Sequence, residues 1–109
     1  VIRTITLNTG FDETVTVSSL PFGGVADLLC RESLPSGKGI NAGRVVRALG
    51  AEVVVYGLIG KSDHQPFRDS LWRQGVESRM VEVDAPTRCN LTLVVKNLDQ
   101  PAAHFRAPG

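Results

Sequence analysis

The sharpest chemistry in this 109-residue chain lies in Ser36-Gly37-Lys38-Gly39-Ile40-Asn41. Two glycines let a ligand approach the backbone closely. The segment opens a stretch with helical spacing, and a helix start offers free amides and a dipole that favour an anion. Lys38 places a full positive charge where the dipole alone would favour an acid, an inversion that points to an anionic ligand. A glycine-rich turn carrying a solvated lysine is the plainer alternative. Two nucleotide motifs do not account for the segment. A P-loop requires Gly-x-x-x-x-Gly-Lys-Ser/Thr, but Glu32 and Gly39 occupy its first and last positions. Gly37-x-Gly39-x-x-Ala42 matches the dinucleotide fingerprint formally, yet Leu34-Pro35-Ser36, not a buried strand, leads into it.

Other polar residues are candidates beside it. Asp12 follows the first strand-like segment within Thr9-Gly10-Phe11-Asp12. A carboxylate at the carboxyl end of a parallel strand can accept hydrogen bonds from ligand hydroxyls, or it can satisfy its own turn backbone. Asn41 can serve hydroxyls too, or simply sit in a helix's first turn. Arg88 opens an alternating segment, where it either clamps a phosphate or is a surface charge. His64 and His104 have no partner pattern and read as structural or solvated. Cys30 and Cys89 are far apart, with no Cys-x-x-Cys and no Cys/His cluster, so they read as two reduced thiols and no metal site is expected.

These residues need a scaffold. Val1 to Asn8 is rich in β-branched residues and reads as a strand. Glu13 to Ser19 alternates apolar and polar, the period of a strand with one wet face. Val25 to Arg31 suits a further short strand, with Pro21 to Gly24 as a turn before it and Ser33 to Gly39 as a loop after it. Ala42, Val45, Val46 and Leu49 fall at i, i+3, i+4, i+7 and predict a helix over about 40–49, capped by Gly50. Val53 to Ile59 is continuously apolar, as in a strand buried on both faces. Asp63 is placed to cap a second helix running to Gln74, with Pro66 in its first turn. Ser78 to Val83 reads as a third core strand. Arg88 to Lys96 alternates, Asn97 to Gln100 is a hairpin-type turn, and Ala102 to Ala107 is a weak last strand.

The order predicts an α/β fold: a parallel sheet with right-handed crossovers, plus four alternating strands forming a separate small sheet. Three parallel strands with two helices are only half covered. With Val1 at the start and Pro108-Gly109 at the end, the chain reads as the front of a longer protein. Composition fits a folded domain: 42% hydrophobic residues, 21% charged, and a net charge of +1. Such a balance argues against a nucleic-acid binder. No apolar run approaches the roughly 18 residues of a membrane span, and no leader is visible.

Taken in order, the motifs resemble a known family. Thr6-Leu7-Asn8 with Asp12, then Gly37-Lys38-Gly39-Ile40-Asn41, Arg44 to Gly50, Gly57 to Gly60, Gly75-Val76 and Thr87-Arg88-x-Asn90 are similar to the PfkB, or ribokinase-like, carbohydrate kinases. The resemblance is nearest to their 1-phosphofructokinase and tagatose-6-phosphate kinase branch. It implies the N-terminal part of a ribokinase-like doubly wound sheet with a β-sheet lid, the lid strands being at about 13–31 and 87–107. It also implies that Asp12 and Asn41 hydrogen-bond sugar hydroxyls. Gly37, Lys38 and Gly39 would hold the sugar from beneath, with Lys38 near its phosphate. Arg88, on the lid, would bind that phosphate, and Asn90 would assist.

The departures are as informative. Ser36 stands where the family usually has Gly, and Thr9-Gly10-Phe11 replaces its usual Pro-Ala-Ile. Gly-Ala-Gly-Asp, which supplies the family's catalytic base and anion hole, is absent, as is the magnesium-linked Asn-x-x-Glu. ATP and Mg would then bind to segments of a longer parent, leaving no catalytic residue here. The expectation is a cytoplasmic sugar- or sugar-phosphate-binding portion of a kinase, a homodimer through its lid. The alternatives are a non-catalytic binding or assembly module and a nucleotide-binding module built on the glycine loop.

Overall fold

A computed structural model describes residues 1–21, 23–96 and 103–108. Strand β1 (Ile2–Thr6) leads into β2 (Gly10–Val17) and β3 (Leu28–Ser36); helix α1 (Lys38–Ala48), β4 (Val53–Gly60), a 3-10 turn at Lys61–Asp63 and α2 (His64–Arg73) follow. The chain continues through β5 (Glu77–Val83), β6 (Arg88–Val95) and β7 (Ala103–Phe105). Two sheets result, with strand orders β1-β4-β5 and β3-β2-β6-β7. The first is wholly parallel. The second is the small sheet, in which β2 and β6 run parallel while β3 and β7 are antiparallel edges. Among the described residues, no helix is long and apolar enough to cross a membrane.

The connections β1-α1-β4 and β4-α2-β5 step the same way across the parallel sheet. Right-handed crossovers therefore put both helices on one face. The core lies there: Ile40 of α1, Phe67 and Leu71 of α2, and Val53, Val55 and Ile59 of β4. As expected, β4 is the buried central strand. On the other face no helix lies among the described residues. Ile5 is 74% exposed, Leu7 just beyond β1 75% and Val81 63%, large apolar side chains that a parallel sheet normally covers. Gly50 ends α1 at φ 95° with its amide on the Arg47 carbonyl, the expected left-handed cap.

Three expectations are corrected. Of the apolar stripe of α1 only Val46 packs against the core: Val45 is 59% and Leu49 82% exposed, and Ala42 is exposed, while Ile40 and Gly43 are buried. Gly43 allows a close approach to Val55, and apolar periodicity does not count a glycine as a packing face. The second strand begins at Gly10, so Asp12 lies within β2 and not in a turn. Phe11 fixes that start by packing edge-to-face on Phe67, with ring centroids 5.6 Å apart. The third strand is Leu28–Ser36, shifted from 25–31: Val25 is 95% exposed, and Ser33 to Ser36 pair with Glu13 to Gly10. Pro35 is tolerated because β3 is an edge, where a missing amide need not interrupt a ladder. Phe22, the turn at Asn97 to Gln100, Ala102 and Gly109 lie outside the described residues.

Candidate functional site

The parallel register of β2 and β6 joins residues that sequence separates widely. Gly10 pairs with Arg88 and Asp12 with Asn90. The Asn90 side-chain amide donates to Asp12 Oδ1 at 3.3 Å, and Asn90 Oδ1 accepts from the Ala107 amide at 3.0 Å. Arg88 lies across Gly10, where a β-carbon would meet its Cγ at 2.8 Å. From there its Nη2 donates to the Asn8 carbonyl at 3.4 Å, while its buried Nε has no partner among the described residues.

Gly37 meets the same carbonyl from the other side. Its φ of 131° and ψ of 152° belong to a region open essentially only to glycine. A β-carbon there would come within 2.6 Å of Thr6 Cγ2 and 3.5 Å of the Asn8 oxygen. The amino end of α1, including Lys38 and Gly39, is thus held against the end of β1, near Arg88. No acidic side chain occupies the first turn of α1 to satisfy its amides. The buried hydroxyls of Thr6 and Ser36, beside this turn, have no hydrogen-bond partner among the described residues.

A cleft of about 290 Å³ opens at the carboxyl ends of β1 and β4, lined by Asn8, Thr9, Gly60, Thr87 and Arg88. This is where parallel sheets bind ligands. A second concavity of about 580 Å³ lies on the small sheet and contains Asp12, Asn90 and His104. The expected site residues therefore fall into three groups. Arg88 lines the cleft, Asp12 and Asn90 share the concavity on the small sheet, and Lys38 and Asn41 are exposed on α1 and line neither. His64 and His104 pair with Glu82 and Thr92, at 2.9 and 3.0 Å.

Two features escape the sequence reading. Asp63 does not cap α2 through its side chain; its carboxylate instead accepts from the Thr87 amide, and the Thr87 hydroxyl accepts from the Gly60 amide. This clip seats the residue just before Arg88. Arg44 donates to Asn41 Oδ1 at 2.6 Å and to the Pro35 carbonyl. Burial pulls the Arg44 guanidinium pKa below its ordinary value, and the charge of Asp12 opposes that shift. The Arg44–Asn41 spacing of three residues on a helix was the available signal.

The pattern of the pfkB family carbohydrate kinases matches residues 15–103. The chain belongs to the pfkB family. Within it, the 1-phosphofructokinase of Haemophilus influenzae is 31% identical over 104 residues, covering 95% of this chain and 33% of that protein. That of Vibrio cholerae is 37% identical over 94 residues, covering 85% and 29%. The Escherichia coli phosphofructokinase-2 in complex with fructose-6-phosphate superimposes with a TM-score of 0.86 at 25% identity, over 99% of this chain and 35% of that one. The chain thus spans about a third of the length of these pfkB relatives, and it corresponds to the N-terminal portion of a sugar kinase. The two sheets are the expected ribokinase-like α/β arrangement.

Proposed function

We propose that this chain is the substrate-binding portion, with lid, of an ATP-dependent kinase acting on a sugar phosphate of the fructose 1-phosphate type. The observation that carries the reading is the convergence on the Asn8 carbonyl: Arg88 donates to it from the lid while Gly37, with the amino end of α1, packs beside it. An arginine with a buried free Nε and a helix start without an acid suit a phosphate. Asp12, Asn41 and Asn90 supply acceptors and donors for hydroxyls, with Lys38 adding charge at the helix start. The tagatose 6-phosphate type has the same chemistry, and the names of the relatives favour the fructose substrate.

Residues 1–109 act as one substrate-binding unit in this reading, with β2, β3, β6 and β7 as the lid over the sugar. The lid also pairs two copies, and the protein works in the cytoplasm, where Cys30 and Cys89 stay reduced. Among the described residues no three His, Cys, Asp or Glu side chains come together, and in this reading ATP and Mg bind to segments of a longer parent. No phosphoryl-transfer step is assigned to this chain. The test is a coupled assay with MgATP and D-fructose 1-phosphate. The 109-residue chain should bind the sugar phosphate without turnover. Appreciable turnover by protein free of any longer kinase would contradict the division of labour.

A further inference from the structure

We infer that Arg44 is a positioning residue that decides which end of the Asn41 amide a sugar meets, an inference resting on the sugar-binding reading above. Arginine has donors and no acceptor, so the Asn41 atom 2.6 Å from Arg44 Nη2 must be the carbonyl oxygen. That contact leaves the Asn41 NH2 as the group available at the exposed end of the side chain. Arg44 is itself held, because its Nη1 donates to the carbonyl of Pro35, a fully buried residue. One planar fork therefore ties the first turn of α1 to the root of lid strand β3.

The consequence is a division of roles. Asp12 faces the ligand as an acceptor, with Oδ1 already receiving the Asn90 amide. Asn41 faces it with its NH2 as a donor, because Arg44 holds its carbonyl oxygen. Lysine could not reproduce the fork, since it presents a point charge and no planar pair of donors.

Asn41→Asp separates this role from a structural one. The aspartate keeps an acceptor for Arg44, so the folded chain should melt no lower than the parent. It loses the donor, so affinity for D-fructose 1-phosphate, read by isothermal titration, should fall about tenfold, the ratio for one lost hydrogen bond. In an Arg44→Met background, where nothing fixes the amide, the same replacement should cost much less. Circular dichroism checks that each variant folds, and if Arg44→Met does not, Arg44→Lys, which lacks the planar fork, takes its place as the background. Unchanged affinity in Asn41→Asp overturns the positioning role while leaving the sugar-binding reading intact. A parent chain with no saturable binding overturns both.

Discussion

Asp63 and Thr87, twenty-four positions apart, are joined by a 3.2 Å hydrogen bond from the Thr87 amide to the Asp63 carboxylate. The Thr87 hydroxyl accepts in turn from the Gly60 amide at 2.8 Å. The entry to strand β6 of the small sheet is therefore clipped to the carboxyl end of β4, and Arg88 is the first residue beyond the clip. The position of Arg88 follows from this contact as much as from its own side chain.

Removing the clip should be costly. Asp63→Ala leaves a part-buried Thr87 amide without its acceptor, a loss of about 1–3 kcal/mol. Urea unfolding should show that loss, and amide exchange in Arg88–Val95 should speed up. Asp63→Asn retains an acceptor and should lose less. Equal exchange rates in Asp63→Ala and the parent would show that β6 is held by its ladder alone.

Gly37→Ala should destabilise the chain for a different reason. The backbone conformation there excludes a side chain, and a methyl would strike Thr6. The strain alone is about 1–3 kcal/mol. Guanidinium unfolding measures it, and a variant as stable as the parent would mean that the turn can adopt another conformation.

The uncovered sheet face should drive association. Ile5 and Val81 are exposed on the parallel sheet and Leu7 just beyond it, and Leu28 and Leu29 on the edge strand of the small sheet are half exposed. Apolar patches and open edges pair with other chains. Sedimentation equilibrium across a concentration series should report a dimer or larger assembly. A folded monomer at tens of micromolar would show that these faces tolerate water.

Much of the fold was legible because period and burial agree. Val53 to Ile59 is apolar on both faces and became the central strand, and the alternation around Val15 and Leu93 marked a second sheet. The face of α1 was misread because a buried glycine carries no apolar signal, whereas Val45 and Leu49 do. The start of β2 and the shift of β3 depend on Phe11 meeting Phe67 and on edge pairing, contacts between distant segments. The types of the site residues could be read from sequence. Their grouping could not, because the pairing of Gly10 with Arg88 and Asp12 with Asn90 is a property of strand register.

Phosphate recognition by Arg88 is the centre of the account, and isothermal titration of the parent chain and Arg88→Ala tests it directly. The ligands are D-fructose 1-phosphate and D-fructose. The parent should prefer the phosphorylated sugar, and the variant should lose about 1.5–3 kcal/mol of that affinity, the range for hydrogen bonds to charged groups. Its affinity for fructose should stay the same. Equal losses for both sugars, or a parent chain indifferent to the phosphate, would contradict the account.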